Sequence, residues 1–213
     1  MLEALTNSGW AAGQWQMLRP MLLGSVVSLE VFALTLVLSI PLSIPIAFGR
    51  MSKWAPLRHL VNAYLLVMRG TPLILQILFA YFAPYYLLGV SIYTRFVAVI
   101  VAFVLNYAAY FAEIFRGGIE SIPRGQSEAA QVLGFTPGQT FFRIVLPQVV
   151  KRTLPAVGNE VITLVKDTAL AQTISAARFS VVPIFVAGAF YFLMNGVVSV
   201  VFNHLERRLS YYS

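Results

Sequence analysis

The chain has 213 residues, of which 59% are hydrophobic and only 11% are charged. A soluble domain carries about 25% charged residues, and a chain of this size needs a polar surface that so few charges cannot supply. The composition therefore excludes a soluble globular enzyme, a disordered tail and, because the chain contains no Cys, a secreted module held by disulfide bonds. It predicts an all-α polytopic membrane protein.

Five segments are candidates for membrane-spanning helices, because such a helix needs about 20 mostly apolar residues. They are residues 21–49, 70–94, 96–112 (extending to 115), 153–165 and 179–205. The fourth is the weakest, because it contains Glu160 and reaches the length of a span only if residues on either side are included. Helices are predicted because lipid offers no partner for free backbone groups, and the alternation of an outer-membrane barrel is not seen.

The basic residues predict the orientation of these five spans. With residues 51–58 inside, ten of the 15 Lys and Arg residues lie on the cytoplasmic side. This bias puts the N-terminus outside and the C-terminus in the cytoplasm. Trp10 and Trp15 favour an external or interfacial position for residues 1–20, and residues 209–213 form a cytoplasmic tail. The net charge of +7 is thereby assigned to the cytoplasmic face and not to nucleic acid.

The only sizeable polar insertion is residues 116–152. Pro123 can start a short helix, and Gly134 can end it. A second short helix is predicted from the N-cap, first-turn and capping-box residues Thr136, Pro137 and Gln139. Pro147 is expected to stop or bend the helix at that point. The segment is thus predicted to form two short helices that meet near Gly134, with a plain connector as the alternative.

One pattern in this loop is more specific. An EAA triplet at 128–130 is followed after three residues by Gly134, and nine residues later by IVLP at 144–147. This resembles the EAA loop of bacterial ABC importer permeases, whose signature is EAA, three residues, G, nine residues and I-x-L-P. The resemblance implies that the loop, about 117–147, docks on a separate ATPase. The implied coupling residues are Glu128, Ala129, Ala130, Gly134, Leu146 and Pro147.

Further stretches resemble the polar amino-acid uptake branch, the histidine, glutamine, glutamate and arginine type. They are RGTPL at 69–73, AYFAEIFRGGI at 109–119, GNE at 158–160 and KDT at 166–168. Val149 and Ala169 depart from that pattern, in which Ala and Ser are usual. The resemblance covers residues 21–208, which are predicted to be one transmembrane domain.

The resemblance also implies the partners of such a chain. They are a second permease subunit, identical or homologous, two ABC ATPase subunits inside, and a substrate-binding protein outside. The chain has no G-x-x-x-x-G-K-[ST] motif, so ATP and Mg would be held by the ATPase and no catalytic residue is expected here. His59 and His204 show no metal-ligand spacing, and no metal site is predicted.

Charged and polar residues inside the spans are candidates for substrate contacts, since a charge at the bilayer centre costs at least about 2.5–3.5 kcal/mol. Asn106, Tyr110 and Glu113 share one face of the third span, although an interhelical hydrogen-bond seam with Glu113 at the headgroup level is the favoured interpretation. The residues predicted to contact substrate are Asp167, Asn159, Glu113, Thr168 and Glu160. Asp167 could accept an α-amino group or a cationic side chain. Arg69 could contact a substrate carboxylate, but capping freed carbonyls at the helix break or pairing with a carboxylate such as Glu113 is favoured.

These observations predict a permease subunit that moves a polar amino acid across the cytoplasmic membrane by alternating access, driven by a separate ATPase. An ATP-independent secondary transporter or channel is the alternative, and it gives no reason for the EAA spacing. An intramembrane enzyme is excluded, because paired His ligands, Cys and a G-x-S-x-G elbow are all missing from the sequence. Embedded acids favour a cationic substrate slightly.

Overall fold

The structure, a computed structural model, describes the backbone of residues 8–89, 94–175 and 181–209. Side chains are described for residues 24–87, 94–168 and 193–208, apart from residue 195. The elements are α1 Ser8–Arg50, α2 Ala55–Gly70, α3 Leu73–Leu88, α4 Arg95–Glu120, α5 Arg124–Val132, α6 Pro137–Thr140, α7 Leu146–Ser175 and α8 Val181–Leu209. A π-helical turn, Phe141–Val145, joins α6 to α7. The predicted all-α class is confirmed over these ranges.

Two helical segments among the described residues are long and apolar enough to cross a membrane unaided, Gly24–Arg50 and Arg95–Glu120. The pair α2 and α3, bent by 112° at a short break, makes a third if it counts as one span. Gly24–Arg50 and Arg95–Glu120 correspond to the first and third predicted segments, and the second, 70–94, corresponds to α3 without α2. The full set of five spans and their orientation remain predictions.

Helix α1 starts before the first predicted span. It runs without interruption from Ser8 to Arg50, so no helix end separates the predicted 1–20 segment from the membrane domain. An external position for that segment is therefore still a prediction. Residues 1–7 and most of the predicted 209–213 tail lie outside the described ranges.

Helix α2 is not among the predicted elements. Its apolar run is interrupted by Arg58, Asn62 and Arg69, and its first residues fall in the predicted cytoplasmic turn. In the structure Leu65 is buried and Val61 packs beside it against α1 and α4, whereas Leu60, Leu66 and Val67 are exposed. An amphipathic helix of this kind needs neighbours to bury its apolar side, which a hydropathy window cannot detect.

Helices α1 and α4 pack together through small side chains. The buried residues of α1 are spaced along one face as Ser28, Thr35, Ser39, Ser43 and Ala47, and α4 buries Ala98, Ala102, Ala108, Ala109 and Ala112. Small residues let helix backbones approach closely in a membrane protein. Larger side chains fill the space beside this contact: Val31, Phe103, Tyr107, Phe111, Val161 and Leu164 form one cluster that joins α1, α4 and α7.

Two glycines set the distance between α7 and its neighbours. A Cβ atom on Gly118 of α4 would lie 2.2 Å from Cγ2 of Thr153 on α7. A Cβ atom on Gly158 of α7 would lie 2.8 Å from the ring of Phe202 on α8. Real Cβ atoms do not approach other atoms so closely, so both crossings require glycine. Helix α7 is thus held tightly on both sides.

Candidate functional site

The break between α2 and α3 is stabilised by two side-chain amides. The carbonyl of Met68 has no helical partner, because Pro72, four residues later, has no N–H. Asn106 donates from Nδ2 to this carbonyl at 2.9 Å and to Oε1 of Gln76 at 3.0 Å. Gln76 in turn donates from Nε2 to the same carbonyl at 2.9 Å and to Oγ1 of Thr71 at 2.8 Å. The helix break that RGTP indicates is therefore present and its freed carbonyl is satisfied.

The end of α2 also receives the other two polar residues of α4. The guanidinium of Arg69 lies 5.4 Å from the ring centroid of Tyr110, a cation–π distance. Its Nη1 lies 3.7 Å from Oε2 of Glu113. Together with Asn106, these residues form a seam between α4 and the end of α2, which agrees with the interhelical interpretation. The favoured pairing of Arg69 with Glu113 is present.

Glu113 is the centre of an ion-pair cluster that joins three helices. Arg116 binds it through two hydrogen bonds, Nη2 to Oε2 at 2.9 Å and Nε to Oε1 at 3.2 Å. Arg50, the last residue of α1, places Nε 3.5 Å from Oε1, and Arg69 approaches from α2. Arg116 also pairs with Glu120. The carboxylate already has three cationic partners, which favours a structural role, while the predicted substrate contact of Glu113 stays a prediction.

Asp167 of α7 is held by a tyrosine of α4 that sequence reasoning missed. The buried Tyr107 donates its hydroxyl proton to Oδ2 of Asp167 at 2.8 Å. Its ring is fixed by Phe103 and Phe111, with centroid distances of 6.2 and 6.3 Å. Phe103, Tyr107 and Phe111 have the four-residue spacing of a packed helix face, so no pattern in the sequence marks Tyr107 as chemically distinct. Among the described residues, no hydrogen bond to the other oxygen, Oδ1, is found.

The remaining predicted substrate residues of α7 differ in their surroundings. Glu160, two turns before Asp167, is half-buried and interacts electrostatically with Asp167 and Arg69. Asn159 is exposed, whereas Thr168 is buried and donates to the carbonyl of Val165 at 2.9 Å. Asp167 and Glu160 thus lie on one face of α7, two turns apart, and Asp167 contacts α4 through Tyr107.

The first helix of the predicted loop ends at the glycine that the sequence indicates. Gly134 has a φ of +78° and donates its N–H to the carbonyl of Gln131 at 3.0 Å. Phe135 donates to the carbonyl of Ala130, also at 3.0 Å. These two bonds define a Schellman motif, which closes α5 and needs a left-handed residue at this position. Ala130 is buried beneath it.

The second helix begins as predicted but does not end as predicted. Oγ1 of Thr136 accepts from the N–H of Gln139 at 3.3 Å, and Oε1 of Gln139 accepts from the N–H of Thr136 at 3.0 Å, which completes the capping box. The prediction that Pro147 stops the helix is wrong, because helical structure continues from the π-helical turn into α7. A bend at this point stays a prediction. The preceding turn widens, so that Leu146 donates to the carbonyl of Phe141 five residues back. A π-helical turn of this kind accommodates the proline ring.

The loop is attached to the membrane helices by a small apolar cluster. Ile122, Val145 and Val149 are buried together. Beside them, Arg152 of α7 donates from Nη1 to the carbonyl of Ser121, just after α4, at 2.6 Å. The loop is therefore fixed to both α4 and α7 at its base.

The outer side of the loop is apolar. Val132, Leu133 and Phe142 are 88%, 74% and 67% exposed. Glu128 and Ala129 of the EAA triplet are exposed as well, Pro147 is exposed and Leu146 is half-buried. Large exposed apolar side chains can mark an interaction site, which is the role that the EAA spacing implies for this segment.

Comparison with known proteins identifies the family. Residues 39–211 match the family described as "Binding-protein-dependent transport system inner membrane component". The chain belongs to this family. The match covers α2, α4, the loop and α7, which together carry every candidate residue described above. The predicted importer permease family is confirmed.

Individual relatives agree with this family. The chain is 34% identical over 199 residues to the arginine transport system permease protein ArtQ of Bacillus subtilis (strain 168), covering 87% of this chain and 90% of that protein. It is 36% identical over 202 residues to the nopaline transport system permease protein NocM of Agrobacterium fabrum, covering 84% of each. The L-cystine transport system permease protein TcyB of Bacillus subtilis (strain 168) is 34% identical over 208 residues, covering 91% of this chain and 88% of that protein.

Solved structures show the same architecture. One, titled "Crystal structure of an amino acid ABC transporter with histidines", superposes with a TM-score of 0.79 at 30% identity, covering 92% of this chain and 97% of that chain. An inward-facing structure of the MetNI methionine ABC transporter superposes with a TM-score of 0.68 at 18% identity, covering 93% and 98%. The second likeness concerns the fold alone.

Proposed function

We propose that this chain is the membrane-spanning permease subunit of an ATP-driven importer that moves a polar amino acid across the cytoplasmic membrane. The family match and the amino-acid permeases among the relatives support this function. The partners are two ABC ATPase subunits, which hold ATP and Mg, an extracytoplasmic substrate-binding protein, and a second permease subunit that is identical or homologous. The N-terminus lies outside and the EAA loop lies in the cytoplasm.

One structural observation carries the coupling mechanism. Residues 137–175 form a helical stretch without a loop, from α6 through the π-helical turn into α7. One end of this stretch belongs to the apolar outer side of the loop, and the same helix carries Glu160 and Asp167 further along. A displacement imposed on the loop by a closing ATPase dimer therefore moves the candidate substrate residues directly. This arrangement suits alternating access, in which packed helices move as rigid bodies.

The substrate site proposed here is built on Asp167 and Glu160. Two neighbouring carboxylates in a mostly apolar surrounding favour a cationic ligand group, because an unpaired charge is expensive at this depth. Tyr107 fixes one oxygen of Asp167 and leaves the other for an α-amino or guanidinium N–H. Asn159, Thr168 and Glu113 are retained as candidate contacts. A cationic amino acid is the preferred substrate class.

Replacing Gly134 with Val is expected to uncouple ATP hydrolysis from transport. A β-branched residue at this positive φ costs about 1–3 kcal/mol and breaks the Schellman motif, so α5 loses its fixed position relative to α7. We expect the rate of ATP-driven uptake in proteoliposomes to fall roughly tenfold, because a strain energy of this size corresponds to a factor of about ten. The ATPase should stay bound. Uptake and ATP hydrolysis are measured on the same preparation.

Gly138→Ala is the matched control for this variant. Gly138 lies in α6 with a negative φ and open space around its Cα, so an added methyl group changes nothing at the α5 end. Wild-type coupling in Gly134→Val would contradict the proposed role of the loop. Uptake that proceeds in vesicles without ATPase and ATP would instead favour the ATP-independent alternative.

Asp167→Asn is expected to raise the KM for a cationic amino acid. A hydrogen bond to a charged group contributes about 1.5–3 kcal/mol, which corresponds to a KM about ten- to a hundredfold higher. Glu206→Gln, at an exposed carboxylate of α8, removes the same charge far along the chain and should leave the KM unchanged. An unchanged KM in Asp167→Asn for every polar amino acid tested would remove Asp167 from the site.

A further inference from the structure

An apolar groove of about 720 Å³ lies between the end of α1 and the start of α2. Its walls are formed by Pro45, Ile46, Phe48, Leu57 and Val61, with Gly49 at the base, and Ser52 is the one polar side chain that lines it. The ring of Phe48 also lies 5.9 Å from that of Phe141 in the π-helical turn. The groove therefore opens at the same end of the bundle as the EAA loop.

Two cations adjoin the lining of this groove along the chain, and the end of the groove next to them is called its mouth. Lys53 and Arg58 directly follow the lining residues Ser52 and Leu57, and both are exposed. Neither has an acidic partner among the described residues. Trp54 lies between them and is 66% exposed. Two such cations and an exposed indole beside an apolar groove form a surface with one apolar and one anion-attracting part.

The start of α2 adds to the positive character of this mouth. Trp54 is its N-cap residue and provides no side-chain hydrogen bond, and Pro56 in the first turn has no N–H. The remaining first-turn amides have no intrahelical acceptor, and the helix dipole is positive at this end. An anion that reaches Lys53 and Arg58 also meets these amides.

We infer that this groove binds one anionic phospholipid of the leaflet on the loop side, the cytoplasmic leaflet in the proposed orientation. An acyl chain lies against the apolar walls, and the phosphate contacts Lys53 and Arg58. The indole ring of Trp54 lies at the depth of the lipid headgroups, where Trp side chains are enriched. A soluble anion contacts the cations but leaves the apolar walls uncovered. A zwitterionic lipid covers the walls but, without net charge, is attracted less by the cations. An anionic phospholipid does both.

The test uses the fluorescence of Trp54 in the full chain reconstituted into vesicles. Trp10→Phe and Trp15→Phe leave Trp54 as the only Trp of the three in the chain. We expect brominated phosphatidylglycerol to quench this Trp more strongly than brominated phosphatidylcholine at equal mole fraction. Replacing both Lys53 and Arg58 with Gln should lower the preference at least about fivefold, since each cation attracts anionic lipid.

Two further variants separate a seated lipid from general charge attraction. Arg124→Gln with Arg208→Gln removes two exposed cations elsewhere and should keep the preference. Pro45→Phe keeps both cations of the mouth but fills the groove, and it should abolish the preference while a cooperative thermal unfolding transition shows that the protein is still folded. If Pro45→Phe retains the preference, the anion is held by surface charge alone and the inference is overturned.

Other outcomes also overturn it. Loss of the preference on adding millimolar inorganic phosphate at constant ionic strength would indicate a small-anion site. Lack of quenching by both brominated lipids would show that protein, such as a second copy of the chain, covers the groove. None of these measurements uses transport, ATP or a partner, so their failure is distinguishable from a failure of the proposed function.

Discussion

Replacing Gly118 with Val is expected to destabilise the protein more than any other single change described here. The first carbon added would lie 2.2 Å from Cγ2 of Thr153 and 3.2 Å from Cγ1 of Val149. Thr153 cannot easily turn away, because it is buried and its Oγ1 donates to the carbonyl of Val149 at 2.9 Å. Helices α4 and α7 must separate. We expect a loss of at least about 3 kcal/mol, the upper range for overpacking.

The matched control is the adjacent Gly117→Val. A Cβ atom at Gly117 meets nothing within 4 Å, and the residue is exposed, so the same substitution should leave stability nearly unchanged. The midpoint of thermal unfolding of the purified chain in detergent measures both variants. Similar midpoints for Gly118→Val and Gly117→Val would show that α4 and α7 do not cross as described, and the loop would then lack its attachment to two helices.

Glu113→Gln is expected to have the second largest effect on stability. The neutral amide leaves Arg50, Arg69 and Arg116 close together without the carboxylate that separates them. Removing one partner from a buried ion pair costs about 3–5 kcal/mol. The Glu113 side chain is 17% exposed, so water screens part of this cost and about 2–4 kcal/mol is expected. The unfolding midpoint without substrate is the measurement.

Glu120→Gln provides the control for this second variant. It removes the same charge from the same helix and also faces Arg116, but its side chain is 52% exposed. An exposed pair contributes less than about 1 kcal/mol, so its midpoint should barely move. The comparison also decides between the two interpretations of Glu113. A stable Glu113→Gln variant with a raised KM would favour substrate contact over the structural cluster.

Features with a local cause could be predicted from the sequence. The capping box at Thr136 and Gln139, the helix end at Gly134 and the break before Pro72 follow from backbone chemistry within a few residues. The apolar segments of α1 and α4 follow from composition. The pairing of Arg69 with Glu113 could be favoured because charges in a span need partners.

Features with a tertiary cause could not be predicted. Tyr107 matches the aromatic spacing of a packed helix face, and only its position opposite α7 makes it the donor to Asp167. Gln76 stands out in the sequence as a lone amide in an uncharged segment. Its acceptor, the carbonyl of Met68, is identified only from the folded helix break. Pro147 is tolerated because the preceding turn widens, a local rearrangement that a helix-stop rule does not include.

The unbroken helical path from Pro137 to Asp167 also sets the scale of motion that the protein can produce. About thirty residues at 1.5 Å each make an arm of about 45 Å. If the packing at Gly118 and Gly158 acts as a fulcrum part-way along this arm, a tilt of about 10° moves one end relative to the other by about 8 Å. Asp167 lies about nine to fourteen residues beyond this fulcrum, so its own share of the movement is about 2–4 Å. Small angular changes at the loop would then shift the candidate substrate residues by a few ångströms, without any residue of the arm unfolding.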